Sequence, residues 1–137
     1  MTCRKIYKAA LGLLNETAPE SVCSGCSEEY DEFAERAPYL LAAAVTEAGE
    51  VDDESRRSHG LAARGETDTA EIPLEADFPL SPRFAPAVAF YLASMLIADE
   101  NPELSDTLFD RFCDAMATIK ASIPSVKCAI RNVYPAS

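Results

Sequence analysis

Residues 81–98, SPRFAPAVAFYLASMLIA, decide the fold because they contain the longest apolar run of the chain. Ser81 followed by Pro82 is typical of a helix start, since proline suits the first helical position. Phe84, Val88 and Leu92 then recur at helical spacing, and small or large apolar residues fill most of the positions between them. A helix that is apolar on nearly every side belongs at the centre of a bundle.

The residues that follow predict a second helix folded back against the first. Asn101 and Pro102 repeat the start signal after a short break, and Ile123 with Pro124 ends the helix. Its apolar stripe consists of Leu104, Leu108, Phe112, Met116 and Ile119. Three aspartates lie four residues apart on its other side without a histidine or an opposing carboxylate run, which favours a solvated face over a metal site: Asp106, Asp110 and Asp114.

Two amphipathic helices are predicted before the central run. The first covers about Thr2 to Leu14. The second begins near Ser27, whose hydroxyl can cap the free amides, and the acidic residues that follow suit the positive end of the helix dipole. We expect Pro38 to bend this helix and Gly49 to end it.

Residues 50–77 and 125–137 lack a helical pattern. The first segment mixes charges and glycines, and predicts a long mobile loop that is either a partner-binding arm or surface disorder. Ile72 and Leu74 flank a proline and are candidates for partner contact. The second segment alternates apolar and polar residues, so it either adds to another chain's sheet or folds back on its own domain. Its candidate partner-binding residues are Val126, Ile130, Val133 and Tyr134.

These segments together predict an all-α protein. We expect a small antiparallel bundle of about four helices, with a long loop between the second and third helices and an extended C-terminal tail. Residues 1–124 form the bundle domain in this prediction, and residues 125–137 form the tail. A length of 137 residues with 48% hydrophobic and 26% charged content fits one domain.

The charge balance bears on the class of partner. Twenty-three acidic residues against twelve basic ones give a net charge of -11, which repels polyanions and argues against sequence-specific nucleic-acid binding. The first residues contain no apolar signal core, and the longest apolar run is shorter than the roughly 20 residues of a membrane span. We therefore expect a cytoplasmic protein without membrane contact.

Five cysteines, an odd number without an export signal, indicate reduced thiols. Cys23 and Cys26 have the spacing of half a tetrahedral zinc site or of a redox pair. The single histidine, His59, lies in a polar stretch, and Cys113 and Cys128 stand apart, so neither site is completed. We expect no metal and no cofactor, and Cys23 with Cys26 are the remaining candidates.

An enzymatic function is not expected. The sequence has no glycine-rich phosphate loop and no serine or cysteine nucleophile with a recognisable base. A helical adaptor or regulatory protein of a bacterial host shares the same bulk features, and a CxxC zinc-binding module is a further alternative.

Several stretches, in order, resemble the small head–tail connector (adaptor) proteins of long-tailed phages and prophages, which form a ring beneath the portal. They are residues 6–11 (IYKAAL), 77–87 (DFPLSPRFAPA), 91–93 (YLA) and 99–104 (DENPEL). The resemblance covers most of the chain, through soft patterns rather than an invariant motif. The Cys23/Cys26 pair and the apolar tail depart from it.

The resemblance implies a non-catalytic helical subunit that assembles into a homo-oligomeric ring. Its partners would be the portal protein and tail-side or head-completion proteins, and DNA would pass through without sequence-specific binding. Such a protein resides in the host bacterial cytoplasm during assembly and then in the virion. In this interpretation residues 52–74 pack on a neighbour or a tail-side protein, and residues 126–134 dock on the portal.

Overall fold

The computed structural model describes residues 1–15, 27–64 and 70–124. Within this part the chain forms four α-helices and no strand, which confirms the predicted small all-α bundle. A 3-10 turn, Pro82–Phe84, leads directly into the third helix. The helices are α1 (Cys3–Asn15), α2 (Ser27–Ser58), α3 (Ala85–Ile97) and α4 (Pro102–Ser122).

Helix α3 forms the centre of the bundle, as its sequence predicts. The helices α1, α2 and α4 all pack against it. Val88, Leu92 and Leu96 on this helix are at most 1% exposed. Burying each such side chain contributes about 1.5–3 kcal/mol, so these three residues together contribute roughly 4.5–9 kcal/mol.

A tight turn joins α3 to α4, and Asn101 caps the new helix. Its side-chain oxygen accepts a hydrogen bond from the Leu104 amide at 3.1 Å, as the cap-then-proline signal predicts. Along the interface the rings of Tyr91 and Phe112 meet edge to face, with centroids 5.2 Å apart, and Phe109 lies beside both. This aromatic group fixes α4 against the central helix.

A pair of serines sets the position of α4 along α3. The Ser94 hydroxyl donates to the Ser105 carbonyl at 2.9 Å, and the Ser105 hydroxyl donates to the Ser94 carbonyl at 2.9 Å. Ser94 is 1% exposed, so sliding the helices past each other would leave buried polar groups without partners.

Helix α2 is longer than predicted, because Gly49 does not end it. The helix continues to Ser58, and Gly60, with φ of 75°, supplies the left-handed residue that follows the helix. The inward face of the last turns holds Asp52 and Ser55, which are buried polar residues. A helix whose buried face is polar shows no apolar spacing, which is why the sequence suggested a loop from residue 50.

Residues 70–80, the strap, pack on the bundle, so the predicted mobile loop is wrong for this segment. The Cys3 and Arg4 amides donate to the Ala76 and Leu74 carbonyls at 2.9 and 2.8 Å. These bonds satisfy amides in the first turn of α1 that no helix can pair internally. The Ile72 amide donates to the Pro38 carbonyl of α2 at 2.9 Å. The strap therefore links the first two helices.

The burial of Ile72 and Leu74 corrects the expectation that they contact a partner. Each is 7% exposed and lies in the core of its own chain. Leu74 lies in a turn closed by a hydrogen bond from the Ala76 amide to the Pro73 carbonyl at 3.0 Å. Pro73 restricts the residue before it to extended geometry, but that signal alone does not say which surface Ile72 and Leu74 cover.

We expect Leu74→Ala to lower the free energy of unfolding by about 2–5 kcal/mol, because it empties a filled core position. Leu61→Ala is the matched control, since Leu61 is 52% exposed, and it should change stability by no more than about 0.5 kcal/mol. Chemical denaturation followed by circular dichroism measures both. Equal effects would contradict the packed strap.

Candidate functional site

An apolar groove lies between α1 and the start of α3. Its volume is about 430 Å³, within the range of ligand-sized pockets. Among the described residues that line it, Lys5 alone has a charged side chain. Apolar lining residues come from both helices and the 3-10 turn: Ile6, Ala9, Leu13, Pro82, Pro86 and Phe90.

Small residues of both helices contribute to the groove. Ala9 on α1 and Ala85 on α3 line it but leave space that larger side chains would fill. Small-molecule sites usually combine an apolar wall with a few well-placed polar groups that fix orientation. Lys5 is the one charged side chain among the described lining residues, and the others are apolar. The groove therefore suits the apolar side chains of a polypeptide better than a polar metabolite.

A second surface feature is the acidic stripe of α4, formed by Glu103, Asp106, Asp110 and Asp114. All four residues are exposed, and their spacing of three or four places them on one helix face. The stripe extends about 17 Å along the helix at 1.5 Å per residue. The described residues contain no group of three or more potential ligands arranged around a metal position. The stripe is a solvated negative surface.

A buried carboxylate joins the end of α2 to the segments that follow it. Asp52 is fully buried, and one of its oxygens accepts a hydrogen bond from the Ser81 hydroxyl at 2.6 Å. The other oxygen lies 2.6 Å from Nε of Arg64, although the N–H direction does not form a hydrogen bond with it. The Asp52–Arg64 contact is therefore an ion pair, and it fixes the chain that leaves α2.

Arg83 extends this polar cluster to α4. Its guanidinium donates to the Ser55 hydroxyl of α2 and, at 3.4 Å, to the Ser122 hydroxyl at the end of α4. The same group lies 5.7 Å from the centre of the Phe84 ring. Asp52 and Arg83 together tie the ends of two helices to the 3-10 turn that begins α3.

The imidazole of His59 belongs to the end of α2 rather than to a catalytic pair. Its Nδ1 lies 2.8 Å from the Ser55 carbonyl and 3.2 Å from the Ser58 hydroxyl. That hydroxyl donates to the same Ser55 carbonyl at 2.6 Å. Both groups thus contact a carbonyl in the last turn of a helix, where such carbonyls lack intrahelical partners.

The cysteines in the described part of the chain are Cys3 and Cys113, and both are free thiols. Burial, together with the nearby Asp77 carboxylate, raises the pKa of the Cys3 thiol. A raised pKa keeps the thiol protonated and unreactive at neutral pH. Cys3 is thus a core residue of α1.

Most of the sequence-predicted site residues lie outside the described residues. These are the CxxC cysteines and the tail positions: Cys23, Cys26, Val126, Ile130, Val133 and Tyr134. Their roles stay predictions, whereas Ile72 and Leu74 belong to the core. Sequence reasoning missed the groove and the Asp52 cluster. The groove depends on where small residues of two distant helices meet, and a buried aspartate within an acidic run has no distinguishing pattern.

Comparison of the chain with protein-family models, curated proteins and solved structures found no match. In the described part, no helix is both long enough and apolar enough to cross a membrane. The functional interpretation therefore rests on two surface features, the groove and the acidic stripe.

We expect Arg64→Ala to lower the free energy of unfolding by about 1–3 kcal/mol, because it leaves the buried Asp52 carboxylate without its cation. The control is Arg57→Ala, which removes an exposed arginine and should have an effect within about 0.5 kcal/mol. Denaturant titration at fixed ionic strength measures both variants.

The pairing itself is tested by repeating Arg64→Ala in an Asp52→Asn background. Asparagine carries no charge at position 52, so the Arg64 substitution should then cost much less. An equal cost in the two backgrounds would show that Arg64 does not act through Asp52.

Proposed function

We propose that this protein is the structural subunit of a phage or prophage head–tail connector, a ring below the portal that links the DNA-filled head to the tail. The observation that carries the proposal is the acidic stripe of α4, four exposed carboxylates on one helix face of a chain of net charge -11. Such a surface suits a channel through which a polyanion must slide.

The electrostatic argument follows from the charge density of DNA. A duplex carries one negative charge per about 1.7 Å of its axis, so a 17 Å stripe parallel to that axis faces on the order of ten phosphates. A basic lining would release counterions and hold the duplex in place. A carboxylate lining repels the duplex and keeps it mobile.

The stretches that resemble the connector family form the body of this bundle. Residues 6–11 lie in α1, and residues 77–87 include the end of the strap, the 3-10 turn and the start of α3. Residues 91–93 lie in α3, and residues 99–104 lead into α4. The resemblance therefore lies in the segments that build the core. This supports the proposal more than a likeness confined to exposed residues would.

Ring closure requires two different surfaces of one subunit to match each other. We assign one of them to the face of α2 around Tyr39, whose side chain is 58% exposed. Tyr39 replaces Ile72 and Leu74 as the candidate for contact with a neighbour. The portal contact is assigned to the tail residues Val126, Ile130, Val133 and Tyr134.

The assembly is tested by light scattering of the purified chain, alone and mixed with the portal protein encoded nearby. We expect a complex of portal and a ring of this chain, because the proposed role requires both contacts. A chain that stays monomeric and ignores the portal would contradict the proposal and favour a host adaptor protein.

The channel lining is tested by changing the acidic stripe to a basic one. A ring with Asp106→Lys, Asp110→Lys and Asp114→Lys should retain duplex DNA at low salt, because its lining then attracts phosphates. The matched control, with Glu47→Lys, Asp77→Lys and Asp99→Lys at exposed positions outside the acidic stripe and off the Tyr39 face of α2, has the same change in net charge. Equal DNA retention by the two rings, measured by gel shift, would contradict a channel-facing α4.

A further inference from the structure

The groove between α1 and α3 has positive charge along its α1 edge. Lys5 lines the groove, and Lys8 lies about one turn further along the exposed side of the same helix. Helix α1 contains no acidic residue, and neither lysine forms an ion pair with another described residue. Arg4 differs from them because it pairs with Glu75. An apolar groove with a basic edge is therefore available on a chain of net charge -11.

The face of α2 around Tyr39 has the opposite charge. Glu32, Glu35 and Glu50 are exposed. They lie seven and four residues before Tyr39 and eleven residues after it, and these spacings place them on one side of the helix. None of them forms an ion pair with a described residue. The nearby cation, Arg36, donates to a backbone carbonyl of α3 at 3.1 Å. The Tyr39 face is thus an exposed aromatic ring surrounded by carboxylates.

We propose that the groove of one copy of this chain receives Tyr39 of a second copy. Tyr39 is one of three exposed large apolar side chains among the described residues, and tyrosine is a common anchor at the centre of protein interfaces. The groove, with a volume of about 430 Å³, is an apolar acceptor for that ring. Its charged lining residue, Lys5, then lies beside the ring, where an ammonium group is attracted to the aromatic face.

The charges around the two surfaces also correspond in spacing. Lys5 and Lys8 are three residues apart, as are Glu32 and Glu35, so each pair extends about 4.5 Å along its helix. When α2 of one copy lies along α1 of the other, the two pairs can meet. Exposed ion pairs add little affinity, but complementary charges steer the approach and exclude partners with the wrong sign. Apolar contact of Tyr39 provides the attraction at short range.

The two surfaces do not overlap within one subunit. No α2 residue is among the described residues that line the groove, and α1 and α2 each pack on α3 rather than mainly on each other. Tyr39 is 58% exposed, so it does not occupy the groove of its own chain. One copy can therefore insert Tyr39 into a neighbour while its own groove receives another copy. Contacts of this head-to-tail kind form rings when the rotation between subunits closes.

The inference rests on the proposed function in one respect, because a ring requires two different surfaces of one subunit that match each other. The Tyr39 face is one of these surfaces, and the groove with its basic edge is the other. The contact itself involves two copies of this chain alone, so it can be tested without the portal.

The test uses the full chain with the photoreactive amino acid p-benzoylphenylalanine in place of Tyr39. A mixture of isotope-labelled and unlabelled chains is irradiated. We expect dimers in which residue 39 of one chain is joined to a peptide from residues 1–15 or 82–90 of the other. Mass spectrometry of the digested dimer band identifies both ends and both isotopes. The same photoreactive residue in place of Leu61, which is 52% exposed, is the matched control and should give no crosslink to these peptides.

A substitution in the groove tests the acceptor. Ala9 is exposed and lines the groove, so Ala9→Glu should fold normally, as circular dichroism can verify. It should reduce the crosslinked dimer by about tenfold or more, because it places a carboxylate where the acidic Tyr39 face docks. Ala117→Glu, at an exposed position of α4, should leave the dimer unchanged.

An exchange of charges tests the pairing. A photoreactive chain with its native glutamates should lose the crosslink to a groove that carries Lys5→Glu and Lys8→Glu. A photoreactive chain with Glu32→Lys and Glu35→Lys should crosslink to that same groove, because the two surfaces again have opposite charges. A general loss of folding would not be restored in this way.

A crosslink within the monomer, a crosslink to any other surface, the absence of a crosslinked dimer, or a dimer that survives Ala9→Glu would each overturn the proposal. Portal binding is measured separately, so failure of this contact and failure of the connector role are distinguishable. A portal-bound ring without the crosslink would overturn the groove contact alone. The expected crosslink in a chain that ignores the portal would support the contact and contradict the connector role.

Discussion

The bundle depends on the burial of α3, a helix with almost no polar side. Eight of its thirteen residues are buried, and a helix of this kind is stable in water only if other segments cover it. The three other helices do so. These three helices are amphipathic for that reason. Each packs one apolar stripe against α3, and the rest of its surface is exposed to water. In the described part of the chain the charged residues other than Asp52 therefore lie outside the core, and α4 presents its acidic stripe there.

Apolar burial is not directional, so polar contacts decide which of several similar packings is adopted. Ser94 and Ser105 fix α4 along α3. Asp52 with Ser81 and Arg64 fixes the chain after α2, and the strap fixes the start of α1. Each of these contacts lies at the end of a helix or at a helix crossing, where a shift in register would leave a buried donor or acceptor unpaired.

The sequence predicted the features that arise from local patterns. The central helix, its Asn101-capped partner and the start of α2 at Ser27 all have apolar periodicity or a cap signal, and all are present. The end of α2 was missed because Asp52 and Ser55 are buried polar residues, and periodicity detects only apolar faces. The strap was missed because its burial depends on α1, which lies far away in sequence. The groove was missed for the same reason, since it is a property of two helices together.

A connector subunit needs a stable body, a surface that tolerates passing DNA and segments that bind its neighbours. In the connector proposal, the bundle supplies the body and the acidic stripe supplies the surface that faces DNA. Electron cryo-microscopy of the portal with this protein bound tests the account most directly. The account predicts a closed ring below the portal with Asp106, Asp110 and Asp114 lining the channel. Density without a ring, or a ring in which α4 faces outward, would contradict it.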